Sequence, residues 1–239
     1  MDKLKNKTII VVGASGGIGS ALSRVFYGEG ANVVLSARTE DKLVALAKTL
    51  GDDRTLVVPA DATNIDSIRS VFKIAVNKFK HIDAVIITAG TWDRLSHENT
   101  CEEAVEKLDK HYKAILTPTF VVSFVAQEFF KNQGFGLIAN ISSHAAIRPE
   151  LPGNLSYGPA KAAARHFMLA LRSELKGTGI RVTDIQPAIV NTPDNSSMLN
   201  TDEKRKQAVQ PETIAQWIVE NFDNKDIPAE KLFDSNVVL

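Results

Sequence analysis

Cysteine is almost missing from this chain: Cys101 is the only one in 239 residues. That excludes an internal disulfide and any zinc site made from cysteine clusters, and it fits a reducing, cytoplasmic setting. Cys101 has no partnering base beside it in the sequence and reads as an inert residue near a helix start. There is no excess of either charge, since Lys plus Arg and Asp plus Glu both number 28. Nothing therefore holds a nucleic-acid backbone or an anionic membrane by long-range attraction. No apolar run approaches the ~20 residues of a membrane span, and even Thr119 to Ala126 is interrupted by Ser123. Met1 to Lys7 is polar, without the apolar stretch of a secretory leader. Repeats, low-complexity tracts, clustered metal ligands and domain-separating linkers are missing too. The expected partner is a small molecule, with no nucleic acid, membrane or metal.

What is present is enough apolar material, 44% of residues, for one substantial core over 1–239. Short β-branched runs at Thr8–Val12, Asn32–Ser36, Thr55–Val58, Ala84–Thr88, Leu137–Ile141 and Arg181–Ile185 read as strands buried on both faces. Helical periodicity fills Gly17–Tyr27, Glu40–Leu50, Ile65–Phe79, Cys101–Phe130, Ser156–Lys176 and Glu212–Asn221. Alternation of this kind predicts an α/β fold: one doubly wound parallel sheet, a Rossmann fold, with helices on both faces. Functional loops then gather beyond the carboxyl ends of the strands. Residues 191–210 are polar and poorly periodic, and read either as a solvated loop or as a lid over the substrate.

Gly13-Ala14-Ser15-Gly16-Gly17-Ile18-Gly19 directly follows the first apolar run. Glycines at 13, 17 and 19 permit a tight strand-to-helix turn and close backbone approach to a pyrophosphate, aimed at by the amides and dipole of the next helix. Ser15 and Ile18 complete this dinucleotide cradle. No Gly-Lys-Ser/Thr ending follows, so the turn is not a nucleoside-triphosphate loop. The second strand ends Leu35-Ser36-Ala37-Arg38, with a guanidinium where a ribose-binding carboxylate would favour NAD(H). Arg38 can pair a 2′-phosphate in a forked geometry, which favours NADP(H) over NAD(H); the alternative is a solvated loop arginine.

Tyr157 and Lys161 are four apart at the head of a helix, on one face and within reach of one ligand. An ammonium beside a phenol, together with a cationic oxidised nicotinamide, favours phenolate and brings its titration, ordinarily near ~10, toward neutrality. The pair follows Ile138-Ala139-Asn140-Ile141-Ser142-Ser143, whose terminal hydroxyl can donate to a carbonyl oxygen. Serines also end strands by bonding backbone, so 142 and 143 are not separated by this reading alone.

These residues, in this order, resemble the short-chain dehydrogenase/reductase family from about Lys7 to Thr192. The resemblance implies a cofactor turn at Gly13, Gly17 and Gly19, an adenine contact at Asp61-Ala62, and a fourth-strand ending at Ala89-Gly90. It implies a catalytic set of Ser143, Tyr157 and Lys161, with Lys161 also holding the nicotinamide ribose. Pro187, Val190 and Thr192 fall where the family wraps the carboxamide, and Ala37-Arg38 is similar to its NADP(H)-preferring members. Val12, Thr88 and Ala188 replace the usual Thr, Asn and Gly. His111 stands where the family commonly has an Asn beside a proton-relay water, and either preserves that relay or is a satisfied helix histidine.

The implied activity is hydride transfer between NADP(H) and a carbonyl or alcohol, in a homodimer or homotetramer paired through the two long helices. A dinucleotide-bound regulatory or scaffold protein is the alternative, motivated by His111 and the Pro187-Ala188 turn. An epimerase or dehydratase of the extended family is a third, for which 239 residues leave little room. Trp92, His144, Ile147, Arg148, Met198 and Leu199 are candidate substrate-facing residues. Ile227 to Leu239 lacks the family's glycine-rich ending, which leaves a seventh strand open.

Overall fold

Among the described residues seven strands form one parallel sheet: β1 Thr8–Val12, β2 Asn32–Ser36, β3 Thr55–Val57, β4 Ala84–Ile87, β5 Gly136–Ile141, β6 Ile180–Pro187 and β7 Glu230–Phe233. The computed structural model describes residues 2–237. The strand order is β3-β2-β1-β4-β5-β6-β7, so the winding reverses between β1 and β4. Val12 is in register with Ser36 on one side and Ile87 on the other, which brings three strand ends level at that reversal. In β1, β4 and β5 every residue is buried, as runs of Val, Ile, Leu and Ala require when helices cover both faces.

The helices are α1 Gly17–Gly28, α2 Glu40–Leu50, α3 Ile65–Phe79, α4 Cys101–His111, α5 Thr117–Gln133, α6 Tyr157–Glu174, α7 Asp202–Gln207 and α8 Pro211–Glu220. On one face Leu22 and Phe26 of α1, Leu43 of α2 and Ile214 and Ile218 of α8 pack on β1, β2 and β5. On the other, Ile68 and Phe72 of α3, Val122 and Phe130 of α5 and Met168 of α6 cover the same sheet. Phe72 meets Phe129 and Phe130 at ring separations of 5.1 and 6.4 Å.

One expectation needs correction, and two segments left open take shape. The segment Cys101–Phe130 is not one helix, because a π-helical turn at Tyr112–Leu116 divides α4 from α5. Pro118 sits in the first turn of α5. It has no amide to donate to a carbonyl four residues back, and its ring crowds that position, so the chain widens there. The seventh strand forms, paired in parallel with β6 from Asp184↔Glu230 to Pro187↔Phe233 without a glycine-rich ending. Residues 191–210 are also more than a solvated loop. Val190 and Val209 bridge its ends, Asn191 donates to the Val209 carbonyl at 2.8 Å, and Leu199 is buried. Other strand and helix ends move by one or two residues, and among the described residues no helix is long and apolar enough to cross a membrane.

Phe72→Ala would open a cavity between α3 and α5. It should lower the unfolding free energy by about 3–5 kcal/mol, read from denaturant melts.

Candidate active site

The carboxyl ends of β1, β4, β5 and β6 meet around the glycine turn. Gly13 has φ +92°, and a Cβ placed there would lie 2.6 Å from Thr88 Oγ1. A Cβ at Gly19 would lie 2.3 Å from the Gly13 carbonyl oxygen. A side chain at either place breaks the turn. Thr88 donates from Oγ1 to the Val12 carbonyl at 3.0 Å, tying the end of β4 to the strand that feeds the turn. Gly17 abuts Thr192 from the loop after β6, since its Cβ would lie 2.5 Å from Thr192 Cβ. Ser15 and Ile18 lie in the same turn, partly exposed.

The first turn of α1 carries no side-chain cap bond and no acidic residue. By contrast, α2 begins with Glu40 and Asp41, α3 is capped by Asn64 and α4 by a reciprocal Thr100–Glu103 pair. Only α1 among these presents bare amides and an uncompensated positive dipole end, the requirement for a pyrophosphate. The residues thus fit a dinucleotide.

Arg38 is exposed just past β2. Asp61 accepts from Thr63 N at 2.9 Å and Thr63 Oγ1 at 2.8 Å. These bonds hold its carboxyl below the usual range, with the charges of Arg38 and Lys113 adding to the effect. Ala62 and Ala89 are partly buried beside these strand ends. Gly90 faces Lys161, whose Nζ would lie 3.4 Å from a Cβ at that position. Pro187 closes β6, and Val190 is buried beyond it.

Ser143, Tyr157 and Lys161 come together at the junction of β5 and α6. Lys161 is buried, and its Nζ donates to the Ile141 carbonyl at 2.9 Å and lies 5.8 Å from the centre of the Tyr157 ring. Burial lowers its titration to about 8, against which Asp184 acts. Tyr157 keeps some exposed surface, but its ring packs with Ile115, Ala160 and Ala164. Burial pushes the phenol up to about 12, and the neighbouring Ser143 hydroxyl offsets part of the rise. Burial sets the direction for the phenol in the protein by itself, whereas the expected fall toward neutrality counts on a cationic oxidised nicotinamide beside it. The two serines separate cleanly: Ser142 is buried and donates to Asp184, whereas Ser143 accepts from the Ala145 amide at 3.1 Å and faces the phenol.

His111 is fully buried as the last residue of α4. Its Nδ1 is 2.9 Å from Ser156 Oγ, its ring meets Tyr157 edge-on at 5.8 Å, and its Nε2 has no partner among the described residues. Burial holds the imidazole below its ordinary range, with Asp93 opposing. His144 is buried too, 3.3 Å from Asp234, which follows β7, and burial lowers its titration as well. Trp92 donates to Asn154 at 2.9 Å, and Ile147 and Arg148 line a cavity of about 370 Å³ with Leu151, Leu155 and Pro159. Leu199 belongs to the anchored core of its segment rather than to an open surface. Sequence reasoning missed Asp184, Ser156 and Thr119. Asp184 alone had a signal, a carboxylate within an otherwise apolar strand.

A model of the short chain dehydrogenase family matches residues 7–203. The chain belongs to this family. An uncharacterised oxidoreductase of Staphylococcus aureus (strain USA300) is 32% identical over 219 residues, 92% of each chain. A short-chain type dehydrogenase/reductase from Mycobacterium ulcerans superposes with a TM-score of 0.86 at 21% identity, over 96% of this chain and 88% of that one. A 3-ketoacyl-(acyl-carrier-protein) reductase from Brucella melitensis, complexed with NADH, gives 0.85 at 22% identity over 97% and 98%. These two share its fold. As a short-chain dehydrogenase the protein is an oxidoreductase, of a family that binds nicotinamide dinucleotides and acts on small molecules.

His111 and His144 are held neutral by burial, whereas the unfolded chain protonates them below ~6.5. The unfolded state then binds more protons, so stability falls as pH drops through that value toward the lowered folded-state titrations. The melting temperature should fall between about pH 7.5 and about pH 5.5, and less steeply in His111→Asn, by calorimetry.

Proposed function

We propose that this short-chain dehydrogenase is an NADP(H)-dependent carbonyl reductase or alcohol dehydrogenase. The observation that carries the reading is the meeting of Tyr157, Ser143 and a buried Lys161 beside a glycine turn whose helix is left uncapped. A bound nicotinamide supplies or accepts the hydride. Tyr157 gives its proton to the substrate oxygen in reduction and removes it in oxidation. Ser143 donates to the same oxygen as charge builds on it. Lys161, fixed by the Ile141 carbonyl, sets the charge behind the phenol and reaches the ribose hydroxyls. His111, in contact with Ser156 and edge-on to Tyr157, passes protons behind this pair. Gly13, Ser15, Gly17, Ile18 and Gly19 hold the pyrophosphate. Asp61, Ala62, Ala89 and Gly90 hold the adenine and ribose side, Pro187, Val190 and Thr192 the carboxamide, and Arg38 the 2′-phosphate. Residues 191–210 act as a lid over the substrate.

The phenol at about 12 is protonated at neutral pH and ready to donate, whereas oxidation starts from the scarce phenolate. Alcohol oxidation should therefore rise in kcat/KM from about pH 6 to about pH 9, and carbonyl reduction should stay level or fall. Equal upward slopes in both directions would contradict Tyr157 as the proton carrier. Tyr157→Phe should lose turnover by ~10²–10⁴-fold with cofactor affinity kept, and a variant that still turns over rejects the assignment. Arg38→Ala should raise the KM for NADPH by roughly 10–100-fold and leave NADH unchanged. Cofactor binding without turnover across ketones, sugars and acyl thioesters would point instead to a regulatory or scaffold protein.

A homodimer or homotetramer in the cytoplasm fits this reading. Phe120 and Phe124 of α5 are exposed, lie 4.6 Å apart, and meet Phe167 of α6 at 4.8 and 6.1 Å, an aromatic face that a second copy would cover. Phe124→Glu should shift the sedimentation coefficient to that of a smaller species.

A further inference from the structure

A buried carboxylate lies directly behind Lys161, on the sheet face covered by α5 and α6. Asp184 of β6 has no exposed surface and is in register with Asn140 of β5. Asn140 Nδ2 donates to Asp184 Oδ1 at 2.8 Å, while the Ser142 hydroxyl and Gln186 Nε2, the latter at 3.3 Å, reach Oδ2. Burial raises the Asp184 carboxyl, and the donors from Ser142, Asn140 and Gln186, with the charge of Lys161, oppose that rise and favour the ionised form, which only accepts. Gln186 also donates to Glu230 of β7, which pairs with Arg165 of α6. From α5, Thr119 Oγ1 lies 3.2 Å from Asn140 Oδ1 and 2.8 Å from the Ile115 carbonyl, in the π-helical turn. Around Asp184 the charged groups are thus Lys161 and, beyond Gln186, Glu230 and Arg165.

Asn140 and Ser142 are the two neighbours of Ile141, and the Ile141 carbonyl is the acceptor that holds the Lys161 ammonium. Ser142 is fixed a second time, by its amide to the Ile185 carbonyl at 2.8 Å, and Ser143 follows it in the chain. One side chain therefore grips the strand on both sides of the residue that orients the lysine. Burying a carboxylate in a sheet is costly without compensation, and replacing it by an apolar residue would be the simpler way to fill the space. Its presence here coincides with an ammonium that is also buried and has, among the described residues, one neutral oxygen as its hydrogen-bond partner.

We propose that Asp184 is a positioning residue for the reaction: it fixes the Ile141 carbonyl that holds Lys161 and supplies the buried counter-charge to that ammonium. The proposal rests on the reading of Tyr157 as proton carrier. Its charge arm follows from geometry and electrostatics: Asp184 opposes the lowering of Lys161, and the Lys161 ammonium lies 5.8 Å from the centre of the Tyr157 ring, where a positive charge favours phenolate. Without the carboxylate, the lysine loses its proton at lower pH and the phenol keeps its own to higher pH.

Asp184→Asn keeps the shape and removes the charge; Ser142→Ala keeps the charge and removes one grip. Each is compared with the parent in kcat and KM for alcohol oxidation across pH. Each is also compared in the phenolate titration of the cofactor-free protein by near-ultraviolet difference absorbance, with Tyr157→Phe as the blank for Tyr27 and Tyr112. Asp184→Asn should lose about tenfold or more in kcat with KM within about twofold, and should move both the rate limb and the phenolate titration upward by roughly half a pH unit or more. Ser142→Ala should lose about threefold in kcat with the titration in place. If Asp184→Asn titrates with the parent, whatever its melting temperature, Asp184 only packs and the proposal is overturned. Should Asp184→Asn fail to fold, an undiminished kcat in Ser142→Ala overturns it. Retained turnover in Tyr157→Phe would instead reject the proton-carrier reading, leaving the titration to report separately on whether Asp184 acts through Lys161.

Discussion

The reversal of winding between β1 and β4 is the constraint on which everything at the site depends. Parallel strands on the two sides of that point send their following loops apart, and the carboxyl ends are left facing an open crevice. The backbone geometry needed to turn there is severe. Gly13 and Gly19 pass so close to Thr88 and to each other that no side chain fits, and Thr88 bonds back to Val12 to hold the turn against β4. The turn in this form leaves α1 uncapped, an unfavourable helix start that an anion would correct.

Across the crevice the problem is electrostatic. A lysine and a tyrosine are packed into apolar surroundings, and burial penalises the charged form of each, lowering one to about 8 and raising the other to about 12. Their titrations move toward a state in which both are neutral, so the protein in this form keeps the phenolic proton in place. The groups that resist this are few: the Ile141 carbonyl, the Ser143 hydroxyl and the Asp184 carboxylate one strand away. The π-helical turn completes the arrangement, since it ends α4 at His111 and places Ile115 against Tyr157.

Much of this was readable from the chain. Continuous Val, Ile and Leu runs separated by helical periodicity have one economical solution, a parallel sheet covered on both faces, and the glycine spacing marks where its first crossover begins. Tyr157 and Lys161 are four apart and must share a helix face wherever that helix goes. The break at Tyr112–Leu116 was less visible, because the apolar pattern runs on through it while Pro118 acts through a missing donor and a steric clash. The short β7 was hidden for another reason: an edge strand of four partly exposed residues takes its pairing from β6, not from any pattern of its own.

The sequence by itself determined what local chemistry can determine: element types, the glycine turn, the basic ending of β2 and the spacing of the phenol and ammonium. Only the tertiary structure sets Ser142 and Ser143 apart, because a buried carboxylate 42 residues away captures the hydroxyl of Ser142 and leaves that of Ser143 facing the phenol. It likewise set the direction in which the phenol shifts. Proximity of an ammonium follows from spacing along one helix, but desolvation is set by every element packed around the pair, and it is the main cause of the rise.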